Sequence, residues 1–194
     1  MTNNNNDNSN NESNEFEYLF NGQSIDGWHM AGQGKFVFIE SDKSLRSEGG
    51  MGLLWYTKKK FKDFVLRVDW KVNRRNDNSG VFIRFSNPDN NPWIAVNTGY
   101  EIQIDDLAMP DGNSIHKTGA IYNFAAPSNP RSKPVREWNT FEIEAINQKY
   151  SVILNDEKVI SEFTGNRLTE GYIGIQNHDP DSHVSFKNIS IEQI

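Results

Sequence analysis

Apolar residues recur at every second position through most of this chain. Phe64, Leu66, Val68, Trp70 and Val72 alternate with Val65, Arg67, Asp69 and Lys71, which predicts one long strand with a single buried face. Phe141, Ile143 and Ala145 alternate with Glu142 and Glu144 in the same way. Tyr150, Val152 and Leu154 run into Asn155-Asp156, a hairpin turn signal, and Val159 starts the return. Near the end, Val184 and Phe186 share a parity that Ile189 and Ile191 do not, so a bulge is expected around Lys187-Asn188. No segment sustains an i, i+3, i+4 apolar pattern, so helix should be scarce. About a dozen short strands between Gly, Asn, Asp and Pro turns predict an all-β fold of two packed antiparallel sheets.

One strand differs from the rest in what its polar face carries. Over Gly99–Asp105, Tyr100, Ile102 and Ile104 fall on one side, and Glu101, Gln103 and Asp105 on the other. An acid, an amide and an acid then line one surface in steps of about 7 Å. A strand that only had to be wetted would more often show Lys, Thr or Ser, so this row marks a binding cleft. The long connections add to it. Ser86–Thr98 places Trp93 in an otherwise polar loop, Asp106–Lys117 contains His116, and Asn123–Glu137 is stiffened by Pro127, Pro130 and Pro134. An exposed Trp offers the C–H face of a sugar a ring to stack on. The alternative is that Trp93 folds back as a satellite of the core. Trp28, Trp70 and Trp138 are read as core residues from their alternating neighbours.

Composition narrows the class. The chain has 194 residues with twelve Phe, six Tyr and five Trp, enough aromatic area for one sandwich core. A net charge of −6 argues against nucleic acid or an anionic membrane as partner. No apolar run is long enough to span a bilayer. The absence of Cys removes disulfides, thiol nucleophiles and Cys-based zinc sites. Eight of residues 1–15 are Asn, and no apolar residue follows Met1 there. This tail is expected to be disordered, as a ragged terminus or as a tether, ahead of a single domain over 16–194.

Seven short stretches then occur in one order. They are Leu19-Phe20-Asn21-Gly22 with Gly27-Trp28; Asp63-Phe64; Asn78-Ser79-Gly80-Val81-Phe82-Ile83-Arg84; Gly99 to Asp105; Thr118-Gly119-Ala120-Ile121-Tyr122; Glu137-Trp138-Asn139; and Gly171 to His178. Together they resemble the 3-keto-disaccharide hydrolase domain family. The resemblance implies a concanavalin A-like jelly-roll sandwich, a sugar on its concave sheet, cleavage of glycosides oxidised to a ketone at C3, and an extracytoplasmic site of action.

That chemistry has clear requirements. A ketone at C3 acidifies the hydrogen on C2, and removing it gives an enolate able to expel the C1 substituent. The site needs a base, a donor for the enolate oxygen, and an acid for the leaving group. His178 is one candidate base; Glu101 is another if desolvation raises its pKa. Arg84 is a candidate for the enolate oxygen, with the alternative that it pairs with Glu101 across strands. The expected sugar-binding residues are Trp93, Gln103, Asp105, His116, Tyr122 and Gln176. A divalent metal on Glu101, His116 or His178 would replace Arg84 as electrophile, although no metal spacing is evident. Ordinary glycosidase chemistry needs two carboxylates about 5 to 10 Å apart. Glu101 and Asp105 lie about 13 Å apart along a regular strand, which disfavours it. His178 has the alternative of capping a loop through Asp179 or Asp181. A lectin-like module without turnover remains the alternative function, since this fold hosts both.

Overall fold

The computed structural model describes residues 15–194, so the Asn-rich tail lies almost wholly outside the described residues. The described residues form thirteen strands, one short α-helix and one 3-10 turn, in order: β1 Glu17–Phe20, β2 Trp28–Gly32, β3 Lys35–Ile39, β4 Ser44–Glu48, β5 Gly52–Tyr56, β6 Phe64–Val72, β7 Ser79–Phe85, α1 Trp93–Thr98, β8 Tyr100–Ile104, the 3-10 turn Ser114–His116, β9 Asn139–Ile146, β10 Lys149–Leu154, β11 Glu157–Thr164, β12 Tyr172–Asn177 and β13 Val184–Gln193. One sheet has eight strands in the order β11-β10-β9-β6-β13-β4-β3, with β1 also on β13; the other runs β2-β5-β12-β7-β8. All ladders are antiparallel. The predicted all-β sandwich is the observed fold.

The core fills the space between the sheets. Phe64, Leu66, Val68 and Trp70 of β6, with Phe141 and Ile143 of β9, meet Val81 and Ile83 of β7, Tyr100, Ile102 and Ile104 of β8, and Ile175 of β12 in one buried cluster. The alternation read from the sequence is therefore the inside–outside alternation of the sandwich. Asn155 and Asp156 both have positive φ (50° and 67°), the two-residue turn that matches strand twist. In β13 the register with β6 shifts between Lys187 and Ser190, and Asn188 has φ 48°, so Ile189 and Ile191 return to the core.

Two expectations need correction. Trp138 is not core: it lies half-buried, with Lys71 Nζ 4.5 Å and Lys187 Nζ 4.1 Å from its ring centroid. Part of the Ser86–Thr98 loop is helix α1, begun by Asn91 Oδ1 accepting from the Trp93 N–H (3.1 Å). Only Ala95 of α1 is buried, so no helical period was available to read. α1 covers part of the outer face of the five-stranded sheet, where Ala95 packs with Leu53, Trp55, Phe82 and Phe85.

Candidate functional site

Beside α1, the outer face of the five-stranded sheet opens into a cavity of about 430 Å³. Strand β8 supplies Glu101 and Gln103, with Asp105 just beyond its end; β12 supplies Gln176, and His178 follows it. Trp93 stands at the start of α1, and His116 and Tyr122 come from the connection after β8. Eight of the nine predicted site residues thus line one cavity.

Arg84 is the exception. It shares the parity of Gly80 and Phe82, but its φ is 49° and the β7–β12 register slips between Tyr172 and Gly174. This bulge turns Arg84 inward and Phe85 outward. The guanidinium is completely buried, donating to the carbonyls of Lys62, Ala145 and Asn147, to Tyr150 Oη (3.0 Å) and to Asp63 Oδ1 (3.0 Å). It is the fixed cation of the core, paired with Asp63 and not with Glu101.

With Arg84 turned inward, Glu101 forms no ion pair among the described residues. Glu101 is 7% exposed, and burial alone pushes its pKa up to about 8. Its side chain occupies the space above Gly80, where an added Cβ would lie 2.2 Å from Oε1 and 2.7 Å from Cγ. Gly80→Ala should therefore displace the carboxyl and weaken ligand binding at least tenfold while the fold persists; calorimetric titration beside a thermal melt checks this. With its amide turned to satisfy both contacts, Gln103 donates to Glu101 Oε1 and to the Ser79 carbonyl, each at 3.2 Å.

Asp105 has structural work. Its Oδ1 accepts from the N–H groups of Leu107 (2.9 Å) and Ala108 (2.8 Å), and its Oδ2 from Asn78 Nδ2 (3.1 Å). Burial raises its pKa against the opposing pull of these loop N–H groups. The Tyr122 phenol is likewise pushed up, first by burial and then by Glu101, Asp111 and Asp105, so it stays a donor. Its ring stacks on His116 with centroids 4.8 Å apart, and His116 Nε2 bonds Asn123 Oδ1 at 2.8 Å. His178 Nδ1 lies 2.8 Å from Asp179 Oδ2, one of the two loop contacts read as alternatives to catalysis. With a proton on Nδ1 facing Asp179, Nε2 is the ring nitrogen that can accept.

The cavity also holds acceptors that lack donors. Among the described residues Gln176 Oε1 and Asn78 Oδ1 are buried and have no hydrogen-bond partner, and a ligand hydroxyl would satisfy either. Trp93 remains 56% exposed, and Met109 is 63% exposed, so neither folds into the core. The residues offered to a divalent ion, Glu101, His116 and His178, have separate protein contacts, and no group of three His, Cys, Asp or Glu converges among the described residues. Sequence reasoning missed Met51, Asn76, Asn78, Val96, Met109 and Asp179. Asn76 and Asn78 had a signal, since both lie on the Gly80 parity just before β7.

Comparison with known proteins places these features in context. Residues 15–192 match the model of the 3-keto-alpha-glucoside-1,2-lyase-like domain. A 3-keto-disaccharide hydrolase of Bacteroides thetaiotaomicron is 24% identical, the alignment covering 90% of this chain and 77% of that protein. The crystal structure of a candidate glycosyl hydrolase from Parabacteroides distasonis superposes with a TM-score of 0.76 at 26% identity, over 93% of this chain and 100% of that one. The carbohydrate-binding module CBM66 of Bacillus subtilis shares the fold at a TM-score of 0.64 and 16% identity, over 92% of this chain and all of the module.

Proposed function

Because the chain belongs to the 3-keto-alpha-glucoside-1,2-lyase-like domain family, we propose that its cavity cleaves glycosides oxidised to a ketone at C3. The observation that carries this reading is a carboxyl raised to about pKa 8 in the same cavity as an Asp-held imidazole, with the expected arginine elsewhere. His178 Nε2 takes the C2 proton, and the electron pair moves onto the C3 oxygen as an enolate. The Tyr122 phenol donates to that oxygen. The enolate then collapses to a C1–C2 double bond as the C1–O bond breaks, and Glu101, protonated below about pH 8, gives its proton to the departing oxygen. Addition of water across the double bond, with a proton to C2 and hydroxide to C1, makes the net change a hydrolysis.

The remaining lining residues hold the sugar. Gln176 Oε1 and Asn78 Oδ1 take hydroxyl protons, and Trp93 packs against the C–H face. Trp93→Ala should weaken sugar binding by about tenfold, with no change in melting temperature, because the exposed ring contributes little to the core. Calorimetry and a thermal melt on the same preparation check both halves. In this reading the protein acts outside the cytoplasm, as the carbohydrate ligand and Asn-rich tail suggest; fractionation of cells carrying the full gene tests that placement.

The reaction itself is tested by mixing the protein with 4-nitrophenyl 3-keto-α-glucoside and with its unoxidised parent. Nitrophenol should appear from the keto sugar alone. Saturable binding without release would instead favour a glycan-binding module.

A further inference from the structure

A second groove, of about 610 Å³, lies behind one wall of the first cavity. At three places along the chain, adjacent residues divide between the two. Asn76, Asp105 and His116 line the first cavity, and their neighbours Arg75, Asp106 and Lys117 line the second. Thr118 ties the wall together: its Oγ1 accepts from the Asp105 N–H (2.9 Å) and donates to Asp106 Oδ1 (2.7 Å).

The groove gathers positive charge in a chain whose net charge is −6. Arg75, Lys117 and Arg131 line it from three separate segments, and none makes an ion pair with a carboxylate among the described residues. Their backbones are anchored. Asp77 Oδ2 accepts from the N–H groups of Asn73 (2.8 Å) and Arg74 (2.7 Å), fixing the turn that presents Arg75. Pro130 precedes Arg131, whose carbonyl accepts from Asn155 Nδ2 (3.2 Å), and Ser132 Oγ donates to Asp106 Oδ1 (2.6 Å). Lys117 closes the short turn Ser114–His116, its N–H donating to the Ser114 carbonyl. Asp106, the carboxylate lining this groove, already accepts two hydroxyl protons, and three cations against it leave an excess of two positive charges.

We propose that this groove is an oxyanion site, holding a charged substituent on the glycoside whose 3-keto ring occupies the neighbouring cavity. Two excess charges suit a phosphate ester best, with a sulfate ester or a uronate carboxylate sharing the same chemistry. The second half of the proposal rests on the reading of the first cavity as a sugar site.

The test uses the full chain carrying Glu101→Gln, so that ligand is consumed at least about 10²-fold more slowly during the titration. Four 3-keto-disaccharides are titrated calorimetrically: one with a neutral second sugar, and three with that sugar phosphorylated, sulfated or oxidised to a uronate. The phosphorylated ligand should bind at least tenfold tighter than the neutral one, with the advantage shrinking as salt rises. Adding Arg75→Gln and Arg131→Gln should erase that preference and leave affinity for the neutral disaccharide unchanged. Equal affinities for all four ligands, or a preference that survives both arginine substitutions, would overturn the proposal. A wild-type protein that cleaves no 3-keto-glycoside, while the charge preference persists, would sink the cleavage reading and leave this site standing.

Discussion

Glu101→Gln lowers turnover of a 3-keto-glucoside by at least about 10²-fold at pH 7, because the leaving oxygen loses its proton donor. The wild-type rate falls on the alkaline side as the carboxyl ionises near pH 8, and a pH–rate profile reads that limb directly. The same substitution has a signature independent of activity. Burial raises the folded-state pKa of Glu101 above the ordinary value of 4.5, so the native chain holds a proton that the unfolded chain releases. That contribution is fully present below pH 4.5 and is lost as pH rises toward about 8, at up to about 1.4 kcal/mol per pH unit. Asp105 is raised too and acts in the same direction, but it is common to both proteins. Urea unfolding at pH 5.5 and pH 8 should therefore show wild-type stability dropping more steeply than that of Glu101→Gln. Parallel slopes would mean that Glu101 is ionised and solvated in the folded protein.

Arg84→Ala costs about 3–5 kcal/mol of stability, because it takes the cation from Asp63 and the donors from the Lys62, Ala145 and Asn147 carbonyls. Against a typical domain stability of about 5–15 kcal/mol, that is a large fraction. The urea midpoint should fall sharply, and turnover by the fraction still folded should stay close to normal. A stable Arg84→Ala protein with no turnover would return the guanidinium to the reacting sugar.

Arg84 also marks where sequence reading stops. The parity of Gly99–Asp105 was legible because its two faces differ, one apolar and one polar, and a one-residue slip would have buried the acids in the core. The β13 bulge was legible for the same reason, since two apolar runs of opposite parity needed a residue between them. Strand β7 offers no such contrast. Helix α1 covers its outer face, so both parities are buried and apolar, and the bulge at Arg84 leaves no mark in Val81-Phe82-Ile83-Arg84-Phe85. Trp138 misled in a different way: its neighbours alternate, yet its ring serves two lysines outside the core. Met51 and Met109 reach the cavity from connections that carry no periodic signal.

Single-turnover release of nitrophenol from 4-nitrophenyl 3-keto-α-glucoside, with hydrogen or deuterium at C2, bears most directly on whether this cavity breaks a C–H bond to open a glycosidic one. Release should slow several-fold with deuterium, and the unoxidised glucoside should give none. Equal rates for the two isotopes, together with release from the unoxidised glucoside, would contradict proton removal at C2 and point to direct displacement at C1.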